Sequence, residues 1–516
     1  MTVPLSSGQA TCHDLAFLPR DLFLIILELL EPKDLVWCRR VSRAWNEAFS
    51  NPDIVLPLFK RHFPWTQEFK NLQPGSSKYD GSSVTAESIR HAFDQAVARY
   101  NHLERGTPRS VQRHSLCSEM GWSWERQFYP VQPWEGHASH YMGEVDRQFT
   151  EAMWTYEDGL LVFPSADRWM LMLVDLSSDK QFLVPFVLDG RIIRRVRLQK
   201  RVLVVEWAEP KAFHWLNESD GVHRHFATSF NVVPSDKYDH DGRWHIIPRN
   251  EWKIMFLGHP LSERDRFFSA HSDTHYVIYI WQPNRSLYTA DEDAPIESLF
   301  VWDISKKSDY RPSLDPSGAQ TGPEVDQSPS IVARFGFQDL EHFRIRQRGF
   351  PRIQQLEVSD DGQTVYITEN FRFFDATELP TPLGVPDTVV TGIPTTGIGP
   401  HNRFTPDFIL TAYRSNDNAH ELPLLLFNMS HLHESWYNII AQVTDRGSGV
   451  ALRIHFSSDE VNDYLDESIY LTVETEKTRV TREVSDFAGR AKLCGCDKYI
   501  IGETDNRELV IYRFDR

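Results

Sequence analysis

Cysteine is what this chain has least of: five among 516 residues (Cys12, Cys38, Cys117, Cys494 and Cys496), odd in number and mostly isolated. A secreted scaffold held by disulfides needs cysteines in pairs, so this usage fits a reducing compartment, the cytosol or the nucleus. No run of 18 or more apolar residues occurs, and the first fourteen residues lack a basic stretch followed by an apolar one. Neither a membrane span nor a secretory leader is expected. Glycine-rich phosphate or dinucleotide loops and the G-x-S-x-G turn are also missing. No carboxylate pair stands out among the 72 acidic residues, so no catalytic residue is assigned. Metal-ligand spacing is equally absent. Cys494-Gly495-Cys496 has no second cysteine pair at zinc spacing, and His271 and His275 lie in a turn-rich stretch without a glutamate between them in the zincin position. Asp239-His240-Asp241-Gly242 opens like a calcium loop but meets Asn250 where the twelfth-position glutamate belongs, so it reads as a turn. No metal or cofactor is expected. Basic residues are outnumbered, 55 against 72, and the formal charge of −17 repels phosphate backbones and anionic membranes. Nucleic-acid and membrane partners are disfavoured.

Apolar material, by contrast, is plentiful: 41% hydrophobic residues and 12% aromatic, with 15 Trp and 32 Phe. Such a chain folds, and its length suggests two or three compact units at roughly 150 residues each. After a flexible tail (1–14), Leu22, Ile25, Ile26, Leu29 and Leu30 recur at spacings of three and four, which predicts a helix that Pro32 ends. A second helix is expected from Asp34 to about Arg40, and Ser42 caps a third carrying Ala44, Trp45 and Phe49, broken by Asn51-Pro52. A bundle of about 45 residues buries too little to be secure alone and wants a partner. The run 73–83 is a loop by composition, and Ile89, Phe93, Val97 and Tyr100 predict a connector helix from Ala86 to about Glu104, stopped by Gly106 and Pro108.

From about Val145 the helical period gives way to short apolar strands separated by Asp, Gly, Ser and Asn turns, among them Ser359-Asp360-Asp361-Gly362. Candidate strands are Leu160–Phe163, Met170–Asp175, Val202–Trp207, His275–Trp281, Leu299–Ile304, Thr364–Thr368, Leu422–Asn428, Ser468–Val473, Tyr499–Gly502 and Leu509–Phe514. A repeated unit, an apolar strand, a polar turn and then a strand ending in an aromatic or acidic residue, is exemplified near Asp175, Asp303, Asn428 and Asp515; Asn428 and Val473 lie 45 residues apart and Val473 and Asp515 lie 42 apart. Those intervals suit a four-stranded propeller blade, and the Pro- and Gly-rich stretches 311–330 and 377–400 read as insertions. The expected fold is multidomain, α plus all-β: a helical unit over 15–62, a helical connector over 63–144, and a β-propeller of six to eight blades, seven favoured, over 145–516. Two β-sandwiches are the competing architecture. A ring should pair its terminal strand, Leu509–Phe514, with a strand from the start of the β region.

The segment 18–45 carries Leu18, Pro19, Asp21, Ile26, Leu30, Asp34, Leu35, Val41, Ser42, Arg43 and Trp45 in one ungapped register. This resembles the F-box, whose pattern opens on Leu-Pro with an acidic residue two further on and closes on Val-Ser-Arg-x-Trp. Ile25, Trp37 and Arg40 depart from it, since the pattern usually has polar residues at the first two positions and an apolar one at the third. The resemblance implies docking on a Skp-family adaptor, through it a cullin, and a non-catalytic role in a ubiquitin ligase with the β region selecting a protein substrate. Its implied adaptor contacts are Leu18, Pro19, Leu22, Ile26, Leu30, Leu35, Val41 and Trp45. An adaptor-bound scaffold or trafficking protein, and a propeller enzyme with an N-terminal interaction module, are the alternatives. The layout also resembles fungal F-box proteins with propeller-like C-terminal domains.

Two basic stretches stand out. Arg191, Arg194, Arg195, Arg197, Lys200 and Arg201 fall within eleven residues, and Arg344, Arg346 and Arg348 repeat at period two, which on a strand puts all three on one face. One reading is a charged blade edge that discourages strand addition. The other is a pocket for an acidic or phosphorylated substrate segment.

Overall fold

The computed structural model describes residues 18–72, 85–117, 153–217, 220–235, 244–254, 261, 266–282, 295–315, 329–347, 353–370, 388–395, 411–412, 437–444, 451–457, 468–474, 479–484, 494–504 and 508–515. The candidate strand Leu422–Asn428, the turn at Asp239, the tail and Arg348 lie outside them.

Six helices open the chain: α1 (Arg20–Leu27), α2 (Pro32–Cys38), α3 (Arg43–Phe49), α4 (Pro52–His62), α5 (Gln67–Asn71) and α6 (Ala86–Glu104). Local chemistry sets their starts. Ser42 Oγ accepts from the Trp45 amide (3.1 Å), Asn51 Oδ1 from that of Asp53 (3.0 Å) and Thr85 Oγ1 from that of Ser88 (3.1 Å). Pro32, expected to end the first helix, instead begins α2, where a missing amide proton costs nothing. Gly106, at φ +60°, ends α6: its amide donates to Leu103 O (2.9 Å) and that of Thr107 to His102 O (3.1 Å), the Schellman arrangement.

The described β region forms six antiparallel four-stranded sheets. The final sheet also takes in β1 (Ser110–Ser115). The first sheet holds β2 (Thr155–Glu157), β3 (Leu160–Ser165), β4 (Met170–Asp175) and β5 (Lys180–Val187). The second runs β6 (Ile192–Gln199), β7 (Val202–Ala208), β10 (His225–Pro234) and β11 (Trp244–Lys253), with a separate hairpin of β8 (His214–Asn217) and β9 (Asp220–Val222) inserted. The third is β12 (Arg266–His271), β13 (His275–Gln282), β14 (Ile296–Asp303) and β15 (Ser330–Phe335); a helix, α7 (Phe337–His342), follows it. The fourth is β16 (Ile353–Val358), β17 (Thr364–Asn370), β18 (Thr388–Pro394) and β19 (Thr411–Ala412). The fifth is β20 (Tyr437–Thr444), β21 (Ala451–Ser457), β22 (Ser468–Glu474) and β23 (Arg479–Glu483). The last is β24 (Cys494–Gly495), β25 (Tyr499–Glu503) and β26 (Glu508–Arg513), with β1 added beside β26.

First strands sit side by side, β2 with β6 and β12 with β16, while β5 meets β11 at the other end of their sheets. Sheets arranged this way radiate from an axis, and the apolar cores lie between successive sheets. Leu161, Phe163, Met172 and Val174 of the first sheet share a core with Tyr499, Ile501, Leu509 and Ile511 of the last. The buried Arg513 guanidinium donates there to Leu176 O (2.7 Å) and pairs with Asp179 and Asp515. Ring closure is therefore propeller-like rather than a pair of sandwiches. Six four-stranded sheets stand among the described residues, against the six to eight blades, seven favoured, expected from sequence.

The closing strand corrects one boundary. β26 pairs with β1, Ser110↔Arg513 through Ser115↔Glu508, so the β region begins at Ser110, inside the stretch expected to be a helical connector up to 144. The helices are not a detached unit either. Phe23, Leu27, Phe49, Phe59, Phe93 and Leu103 form one continuous core with Leu471, Val473, Ile500, Val510 and Phe514 of the last two sheets.

Candidate functional site

Helix α1 turns Phe23 and Leu27 into the bundle, where Phe23 meets Phe49 edge to face (5.0 Å) and Trp45 stacks on Phe49 (5.4 Å). Its other side stays open. Leu22 (52% exposed), Ile25 (58%) and Leu29 (83%), spaced three and four apart, form an uncovered apolar stripe, and Trp37 (54%) and Val41 (63%) stand out beyond it. Of the expected adaptor contacts, Pro19, Leu22 and Val41 are exposed and Leu18, Ile26, Leu30 and Trp45 half-buried. Leu35 is corrected: at 2% exposure it packs into the bundle core and cannot reach a partner. Sequence reasoning left Ile25, Leu29 and Trp37 off that set, although the spacing of Ile25 and Leu29 from Leu22 was a usable signal.

The F-box domain family matches residues 15–56. The chain carries an F-box. An F-box supports docking on a Skp-type adaptor. No curated protein matches the chain. Among solved structures it is similar to a chain of the mitotic checkpoint complex (6% identity, 79% of this chain and 95% of that one, TM-score 0.33). It is also similar to a DUF4221-family protein from Bacteroides vulgatus (10%, 79% and 96%, TM-score 0.28). A third is the β-propeller domain of the Trilobed protease from Pyrococcus furiosus (10%, 61% and 77%, TM-score 0.23).

Behind the F-box, one side chain ties helices to sheet. Arg99 of α6, 1% exposed, grips Glu68 of α5 with both terminal nitrogens (2.7 and 3.0 Å) and places Nε 3.0 Å from Asp497 in the β24–β25 turn. Lys498 approaches Glu68 at 3.6 Å, and Trp65 Nε1 donates to Tyr100 Oη (2.9 Å). Burial alone would raise the Glu68 carboxyl, but its hydrogen bonds and charge pairing with Arg99, with Lys498 adding, hold it down at about 2. Arg39 acts similarly between α2 and α6, donating to Phe49 O (3.1 Å) and pairing with Asp94 (2.5 Å).

Neither basic stretch lies as expected. Residues 343–347 are not a strand. Arg344 sits at φ +59° just past α7, its amide donating to Glu341 O and that of Ile345 to Leu340 O (both 3.0 Å), so this stretch begins as a second Schellman end. Ile345 and Leu340 are both fully buried and complete it with their apolar contact. Arg344 is exposed, and Arg346 is half-buried over the Phe337 ring (5.3 Å) and 3.6 Å from Glu341. The single face of three arginines therefore has no strand to carry it, and Arg348 lies outside the described residues.

The other stretch is no exposed edge. On β6, the first strand of its sheet, Arg194 and Arg195 are buried. Arg195 and Arg197 both donate to Ser269 O of β12 (2.8 and 2.9 Å). Arg194 donates to His225 Nε2 (2.8 Å), whose Nδ1 faces His223 O (2.9 Å). Burial, and then the Arg194 charge, push His225 well below its usual value, so it stays neutral. Arg191 lies over the Trp207 (4.5 Å) and Phe186 (4.8 Å) rings, and Arg201 over Trp244 (4.9 Å). Arg191, Arg195 and Arg197 thereby join neighbouring sheets. Among the described residues, no group of three or more His, Cys, Asp or Glu could hold a metal ion, and no helix is long and apolar enough to cross a membrane.

Proposed function

We propose that the chain is the substrate-recognition subunit of a Skp–cullin–F-box ubiquitin ligase, with the F-box bound to the adaptor and the propeller-like region holding a protein substrate. One observation carries this: an F-box leaves an apolar stripe uncovered while its inner side shares a core with the closing sheet. A partner bound on that stripe is held against the ring without a loose tether. The subunit itself is non-catalytic, and cytosol or nucleus is its setting. Replacing Leu18 and Pro19 together by polar residues is expected to weaken adaptor binding while the β region stays folded; unchanged binding refutes the docking assignment. Capture from cells, with and without proteasome inhibition, by the intact chain and by the Leu18 and Pro19 double variant tests the rest. Ligase substrates accumulate on inhibition only with the intact chain, whereas partners indifferent to inhibition favour an adaptor-bound scaffold.

A further inference from the structure

The chain runs from its helices straight into the seam of the ring. Only residues 105–109 separate the end of α6 at Glu104 from the start of β1 at Ser110. Within them Gly106 lies against β22, where an added Cβ would stand 3.4 Å from Val473 Cγ2. Arg109 donates its amide to Arg513 O and its guanidinium to Asp515 O (both 2.7 Å). β1 then completes the last sheet beside β26, and its far end is bonded to the first sheet: the Cys117 amide donates to Pro164 O, and that of Ala166 to Ser115 O (both 3.0 Å). The same helix also holds the opposite side of the last sheet. Arg99 Nε stands 3.0 Å from Asp497 in the β24–β25 turn, and Tyr100 Oη donates to the same carboxylate (3.4 Å). Towards the bundle, Phe93 of α6 meets the Phe59 and Phe63 rings edge to face (5.6 and 6.2 Å), and Asp94 pairs with Arg39 of α2.

We propose that α6 and β1 form a strap that makes the helices and the closing sheet one cooperative unit, so that an adaptor seated on the F-box also holds the ring shut. The adaptor's part in this rests on the docking function proposed above. Because the bundle core continues into the last two sheets, the seam cannot part without disturbing α6, and α6 cannot leave without pulling on β1. A ligand that binds only the folded helices stabilises whatever opens together with them, by a factor set by its concentration relative to Kd. The free chain therefore opens at its seam more often than the adaptor-bound one. Such coupling is reciprocal: an adaptor on the F-box and a substrate that requires the closed ring strengthen each other's binding.

Amide exchange of the full chain in rising urea, without and with purified Skp-family adaptor, tests this. Without adaptor, the slowest amides of α4, α6, β1, β25 and β26 are expected to converge on one opening, with a smaller urea dependence than those of β13 and β14 in the third sheet. Adaptor at about 100 times its Kd should slow that shared opening about a hundredfold, in β25 and β26 as in α4. Asp497→Asn removes the charge on the sheet side of the tie and leaves the Arg99–Glu68 pair in place. Its adaptor affinity should stay within about twofold of wild type, while the gain in β25 and β26 falls at least about fivefold. Helices and closing sheet that open separately, one opening shared by the whole chain, or a gain that stops at α6 while the adaptor binds each overturn the inference and leave the docking function standing. So does a gain that Asp497→Asn keeps in full. A wild-type chain that does not bind the adaptor overturns both.

Discussion

Removing the Arg99 guanidinium should separate the F-box side of the molecule from its closing sheet. Arg99→Ala strands the Glu68 carboxylate and leaves Asp497 without its buried partner. Breaking a buried pair by deleting one member costs about 3–5 kcal/mol, because the other charge stays desolvated. Proton linkage gives an independent figure: Glu68 is held at about 2 against an ordinary 4.5, and that shift corresponds to about 3 kcal/mol. The folded-state value is depressed, so this stabilisation is complete above pH 4.5 and drains away as pH falls toward 2. The variant has none of it to lose. Amide exchange along α6 is the local readout, and a loss of about 3 kcal/mol means protection lower by roughly two orders of magnitude at pH 7. Urea titrations at pH 7, 5 and 3 give the second readout, with the gap between wild type and variant narrowing below pH 5. Protection changed less than about threefold at neutral pH, or a gap as wide at pH 3 as at pH 7, would refute the assignment of this tie to Arg99.

Arg344 occupies the left-handed residue of a Schellman end, so Arg344→Gly should stabilise the chain by about 1 kcal/mol in urea titration; destabilisation would show that the backbone there is not strained. Truncation before Glu508 removes the partner of β1 and the Arg513 seam, and limited proteolysis should then cut the β region throughout; a truncated chain with unchanged melting would mean the sheets do not depend on closure.

How far the sequence was readable depended on whether local chemistry or a distant partner decides each element. Ser42 and Gly106 announce a cap and a stop through their own side-chain or backbone preferences, and α6 occupies Ala86–Glu104 as its periodicity predicts. Met170–Asp175 was legible as β4 because a strand covered on both faces reads as a plain apolar run. Arg344 was not legible, since it does with an arginine what Gly106 does without a side chain, so a helix end resembled an alternating strand. The arginines of β6 misled differently: charge in sequence suggests surface, yet aromatic rings and the carbonyl of Ser269 accommodate them inside. For the docking face, helical spacing showed which residues of α1 are apolar but not which of them the bundle covers, and the resemblance counted Leu35 of α2 as a contact although it packs inside.

The pairing of β1 with β26 also bears on how the protein is made. Ser115 leaves the ribosome nearly four hundred residues before Glu508, so at 5–20 residues per second the strand waits about 20–80 s for its partner. An apolar strand left open that long invites other chains to pair with it. Ser110–Ser115 reads SVQRHS, with a single large aliphatic residue, and exposes little that another nascent chain could bury. The polarity that hid this strand from view in the sequence is what lets it wait safely during translation.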